Sequence, residues 1–98
     1  MSVVINQSGT TTIIAAVAGK TQFVYGYVLS CSAEVVVRFD DTTDVPLTGP
    51  MTIEAKKNLT VPYDPNGQFV TVAGRGVKLV YVSGSGTLGG HASVSAYG

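Results

Sequence analysis

No tryptophan occurs in this chain, cysteine and histidine occur once each, and Asp, Glu, Lys and Arg together make up 12% of its 98 residues, against about 25% in an average soluble domain. Each scarcity removes a class of function. With Cys31 as the only thiol, neither an intrachain disulfide nor a cysteine-built zinc site can be assembled by one chain. Six basic residues against six acidic ones leave no long-range positive field, so neither nucleic acid nor an anionic membrane is expected as a partner. No apolar run approaches the roughly 18 to 20 residues of a membrane-crossing helix. The short run Ile13 to Ala18 follows three threonines and lacks the basic lead of an export signal, so it reads as a strand.

Helix formers are scarce too: Leu and Glu together supply 7 residues, whereas Val, Ile and Thr supply 31. That balance favours pleated structure throughout. The length suits one domain whose small core leaves room for help from a partner. We divide the chain into residues 1–9, an N-terminal arm or edge strand, and residues 10–98, a single β-sandwich domain.

The segment Leu47 to Phe69 holds three of the four prolines and must turn two Val-rich halves back on each other. Within it, Pro62-Tyr63-Asp64-Pro65-Asn66-Gly67 is the strongest turn signal, because proline pre-sets φ and Asn-Gly supplies positive-φ positions. Strands are expected over Ser2–Ile5, Thr10–Val17, Thr21–Cys31, Glu34–Asp40, Val45–Thr48, Met51–Ala55, Leu59–Val61, Gln68–Val72, Val77–Val82 and Thr87–Tyr97. Eight to ten short antiparallel strands with turn chemistry between them indicate an all-β sandwich, with a closed barrel left open as the alternative.

Thr21–Cys31 is the longest of these. Strict alternation places Phe23, Tyr25, Tyr27, Leu29 and Cys31 on one face and Val24, Gly26, Val28 and Ser30 on the other. Both faces are largely apolar, unlike a strand with one wet side. Val77–Val82 shows the same feature, with Val80 and Val82 opposite Val77, Leu79 and Tyr81. Val24, Val28, Val80 and Val82 are therefore candidates for self-association.

The chemistry-bearing residues form no catalytic set. Gly84-Ser85-Gly86-Thr87-Leu88-Gly89 matches the dinucleotide fingerprint in letters but leads into strand-like sequence instead of a helix, so a hairpin loop is expected. Asp40, Asp41 and Asp44 lack EF-hand spacing and read as a solvated loop, with metal binding left open. His91 and Cys31 have no visible orienting third residue. Glu34 and Glu54, the only glutamates, fall on outer faces without the cleft a glycosidase needs. Asn6-Gln7-Ser8 and Asn58-Leu59-Thr60 match glycosylation sequons only in letters. No enzyme activity and no cofactor are expected.

From Thr10 onward the chain resembles small β-rich virion proteins of tailed bacteriophages. The resemblance rests on Ile14-Ala15-Ala16-Val17-Ala18-Gly19-Lys20, Val35-Val36-Val37-Arg38-Phe39 and Leu47-Thr48-Gly49-Pro50-Met51. It continues through Leu59 to Phe69 and Thr71 to Leu79. It implies a jelly-roll-like sandwich serving as a capsid decoration, or cement, protein. Such a protein would be made in the host bacterial cytoplasm and end on the capsid surface. It would bind the major capsid protein at capsomer junctions as a homotrimer. Val3, Val4 and Ile5 are then the candidate capsid contacts, since no obvious turn forces them onto the core. The alternative is a carbohydrate- or receptor-binding module of a phage tail fibre or spike, with Tyr25, Tyr27, Tyr63 or Tyr97 as stacking platforms. Against it stand the start at Met1 without a shaft-attachment segment and the missing tryptophan.

Overall fold

The computed structural model describes residues 2–97 and contains nine strands and no helix among them. The strands are β1 (Ser2–Gln7), β2 (Thr11–Ile14), β3 (Thr21–Cys31), β4 (Val35–Asp41), β5 (Met51–Ile53), β6 (Asn58–Val61), β7 (Phe69–Val70), β8 (Val77–Gly84) and β9 (Leu88–Tyr97). They form two antiparallel sheets. One has the order β1-β9-β3-β6, with β7 also paired to β3, and the other has the order β2-β8-β4-β5. The fold is a β-sandwich, open at its edges instead of closed as a barrel.

The core lies between the sheets, as period-2 alternation requires. Val24, Leu29 and Val94 from the first sheet meet Val35, Val37, Phe39, Val77 and Leu79 from the second, all at most 1% exposed. Phe39 sits at its aromatic centre, with ring centroids 4.8 Å from Tyr27 and 5.0 Å from Phe69.

Four expected strands are shortened or absent, one of them Gln68–Val72, which pairs only over Phe69–Val70. The β-branched run from Thr10 stops pairing at Ile14, and Ala15 to Ala18 run as a connection. Val45–Thr48 forms only an isolated bridge between Asp40 and Pro46, because Pro46 has no N–H to extend a ladder. Met51–Ala55 ends at Ile53; an exposed turn follows, in which Lys56 takes φ 61°.

The principal departure from strict alternation is in β3. Val24 pairs with Val94 and Gly26 with Ser93, so Tyr25 is an extra residue, a β-bulge. Gln22 and Val24 point inward before the bulge, and Tyr27, Leu29 and Cys31 point inward after it. Phe23 and Tyr25 therefore face outward, opposite to the single-face set expected for this strand. Gly26 is required at the bulge: a Cβ there would lie 2.9 Å from both the Tyr63 nitrogen and the Val61 oxygen. Its bareness lets the chain after β6 cross directly over the sheet.

Candidate functional site: an uncharged aromatic sheet face

Of the twelve charged residues only Arg38, Asp40, Asp41 and Lys78 lie within strands, and all four belong to the β2-β8-β4-β5 sheet. The five strands of the other sheet contain none. Its outer face carries Ser2, Val4 and Asn6 from β1, His91, Ser93 and Ser95 from β9, and Phe23, Tyr25 and Val28 from β3. Charge is thus segregated by sheet.

One end of this face is aromatic. Phe23 stacks near Tyr25 at 6.1 Å, Tyr97 meets Phe23 edge-on at 5.3 Å, and Tyr63 lies 5.4 Å from Tyr25. Tyr63 and Tyr97 remain 65% and 59% exposed, leaving ring faces open to solvent. The loop holding Tyr63 is fixed by Asp64 N–H donating to the Tyr25 carbonyl at 2.9 Å and Gln68 N–H donating to the Val24 carbonyl at 2.8 Å. Ser95 Oγ hydrogen-bonds the Tyr25 hydroxyl. That bond pulls the Tyr25 phenol down, but neighbouring Tyr97 and burial outweigh it, so its pKa lies above the ordinary value. Tyr97 is held below it by Tyr25 and Ser95.

Two adjoining shallow depressions mark the surface. One, of about 300 Å³, is bounded by Tyr25, Tyr63, Tyr97, Ser93 and Ser95. The other, of about 220 Å³, lies between Val28, Thr60, Pro62, Tyr63, His91 and Ser93. They share Tyr63 and Ser93. Neither is lined by a carboxylate, lysine or arginine.

The residues singled out from sequence fall as follows. Tyr25, Tyr63 and Tyr97 come together. Tyr27 does not join them: the bulge turns it inward, where its hydroxyl donates to Met51 Sδ at 3.3 Å and burial raises its pKa. Val4 is 80% exposed, but Ile5 is 2% exposed and belongs to the core, with Val3 packed against it. The Val3-Val4-Ile5 set is thus part of an edge strand paired with β9 along its whole length, and Ile5 offers no surface to a capsid. Val24 likewise is fully buried, which removes it as a self-association residue. Val28 lies on the outer face of one sheet, whereas Val80 and Val82 lie on β8 in the other, so the valines do not make one patch.

The acidic run is an ion-paired corner and not the solvated loop expected: Asp40 and Asp41 close β4 and are each 2% exposed. Arg38 Nε meets Asp40 at 2.8 Å, Arg75 meets Asp41 at 3.0 Å, and Lys78 pairs with Asp44, so each carboxylate has its own cation. Among the described residues no group of three His, Cys, Asp or Glu is placed to hold a metal ion. Asp41 also accepts from the Thr43 hydroxyl and from the Thr43 and Val45 amides. Burial pushes its carboxyl pKa up, but these bonds and Arg75 outweigh burial and hold it well below the ordinary value.

Cys31 faces the core, its thiol 3.4 Å from the Ile53 carbonyl, while His91 is exposed on the outer face, so the two do not form a pair. The glycine-rich match at 84–89 is not the hairpin loop expected: β8 and β9 belong to different sheets, so the segment carries the chain from one sheet to the other, held by the Tyr81 hydroxyl donating to the Gly86 carbonyl at 2.9 Å.

Strict alternation through β9 sets Ser93, Ser95 and Tyr97 on one face, opposite Ala92 and Val94. The signal overlooked was Gly26 inside an otherwise β-branched and aromatic strand, a mark of a bulge or close chain approach. Comparison with protein-family models, curated proteins and solved structures gives no match. The resemblance to virion proteins therefore rests on the quoted segments alone.

Proposed function

We propose that this chain is a non-enzymatic structural protein of a bacteriophage virion. In this reading it decorates and stabilises the capsid, binding the major capsid protein at capsomer junctions as an oligomer. The uncharged outer face of the five-stranded sheet lies against the shell. The observation that carries the docking face is the segregation of charge. Interface cores are depleted in charged residues and enriched in tyrosine, and a face without charges is desolvated at low cost. The ion-paired face of the other sheet then remains toward solvent. Many weak attachments on one shell act together, so local opening of the capsid must break several at once. A jelly-roll wiring and a threefold assembly belong to the same reading.

Co-sedimentation with empty capsids tests it. Tyr63→Lys puts a charge into the docking face and is expected to weaken binding at least tenfold, about 1.4 kcal/mol per site. Val82→Lys, on the opposite sheet, is expected to leave binding unchanged. Equal binding by both variants, or loss only with Val82→Lys, overturns the assignment of the face.

The exposed rings of Tyr63 and Tyr97 beside the Ser93 and Ser95 hydroxyls support a second reading, a module that stacks neutral sugar rings of a host surface glycan. Titration with cell-wall glycans separates the two. Glycan binding abolished by Tyr63→Ala, together with no binding to capsids, selects the second.

A further inference from the structure

We propose that β1 is a strand-addition edge whose occupant is β1 of a second copy of this chain. The pairing would be antiparallel about a two-fold axis perpendicular to the sheet. This does not depend on the capsid docking face, and its two-fold pairing stands against the threefold assembly named with that reading. β1 ends its sheet: it pairs with β9 over six consecutive residues, Ser2 with Ser93 through Gln7 with Leu88, without a register shift. Its other side therefore presents an unbroken row of backbone donors and acceptors. Natural sheets blunt such edges with lysine, proline, bulges or very short strands. Ser-Val-Val-Ile-Asn-Gln uses none of these.

The remaining edges are protected. β2 has four residues and a register shift, and β5 has three residues flanked by Pro50 and Glu54. On the far side of the five-stranded sheet, β6 and β7 are four and two residues long, separated by a loop with two prolines. β1 alone is long, regular and uncharged among them.

A second copy fits because β1 is complementary to itself. Centred on Val4, the antiparallel register sets Val4 against the partner's Val4, Val3 against the partner's Ile5, and Ser2 against the partner's Asn6. All of these pairs have matching parity. Inward residues therefore meet inward residues, and the uncharged outer faces of both copies fall on one side. Val4, at 80% the most exposed large hydrophobic side chain among the described residues, would gain an apolar cross-strand neighbour. The joined path runs β6-β3-β9-β1-β1-β9-β3-β6 and presents one continuous face.

Light scattering over a wide dilution range, followed by cysteine cross-linking, tests the pairing. A two-chain mass is expected for the natural sequence. Val4→Lys, which sets like charges directly opposite each other, is expected to raise the dimer dissociation constant at least tenfold. Val4 is exposed, so an unchanged denaturation midpoint at dilutions where the natural chain is itself a single chain confirms that the variant folds. Val4→Cys should form a reducible dimer readily under mild oxidation, whereas Val72→Cys, at a site 63% exposed away from β1, should not. A one-chain or three-chain mass, a dimer insensitive to Val4→Lys, or equal cross-linking at positions 4 and 72 overturns the proposal.

Discussion

Replacing Gly26 with alanine tests the link between the β3 bulge and the aromatic face. The new Cβ would stand 2.9 Å from the Tyr63 nitrogen, 2.9 Å from the Val61 oxygen and 3.0 Å from the Pro62 carbonyl carbon. Ordinary contact begins near 3.4 Å, so the 61–63 chain must retreat by roughly half an ångström. All three obstacles are backbone atoms, and none can swing aside as a side-chain tip would. Retreat stretches the Tyr27–Val61 pairing and the bond from Asp64 N–H to the Tyr25 carbonyl. Overpacking of this kind costs about 1–3 kcal/mol. A stiffer unfolded chain returns about 0.4–1 kcal/mol, because Gly26 does not use a positive φ. A net loss of about 1–2 kcal/mol is expected, read as a urea midpoint lowered by about 1 M. The control is Gly9→Ala, where a Cβ meets nothing within 4 Å. Equal midpoints for the two variants refute the account of the bulge.

Three further outcomes follow from buried groups. Asp41→Asn should cost about 2 kcal/mol by weakening charge-assisted bonds to Arg75 and the 43–45 turn. Because folding lowers the Asp41 pKa, its contribution is complete above the unfolded carboxylate value of about 3.9 and is lost as pH falls below it. Denaturation curves from about pH 5 downward should therefore fall less steeply for the variant, and an unchanged slope refutes the assignment. Phe39→Ala, at the fully buried aromatic centre, should cost about 3–5 kcal/mol by equilibrium denaturation. Cys31 is 6% exposed, and burial first, then Glu34, raises its thiol pKa. Its reaction with a thiol reagent at neutral pH should track global unfolding, and fast labelling of the native chain contradicts that placement.

The sandwich was legible because its evidence is local. Thr21–Cys31, rich in β-branched and aromatic residues, was bounded correctly at both ends. The facing of its side chains was not, since the bulge at Tyr25 is set by pairing with β9 and by close approach of residues 61–63. The same cause decided the tyrosines. Tyr25, Tyr63 and Tyr97 were recognisable as aromatic platforms, yet alternation carried through position 26 without a break put Tyr25 and Tyr27 on one face. Ile5 failed for a different reason: a two-residue alternation in a short opening strand does not say whether the strand is paired, and pairing with β9 is what buries it.

Charge segregation lay beyond local reading altogether. Arg38, Asp40 and Asp41 lie together on β4 but Lys78 lies far along the sequence on β8, and only the strand order puts β4 and β8 side by side in a sheet that excludes β1, β3 and β9. Once they are neighbours, their pairing is electrostatically consistent: Asp40 lies opposite Lys78 in the ladder and takes its close salt bridge from Arg38, leaving Lys78 for Asp44. That closed set satisfies one sheet within the chain itself. The strands of the other sheet carry no ion pair, Tyr63 and Tyr97 keep most of their surface exposed, and β1 ends that sheet. The asymmetry therefore assigns different work to the two surfaces: the charged face can remain in water, and the uncharged face and its edge are the surfaces that gain from being covered.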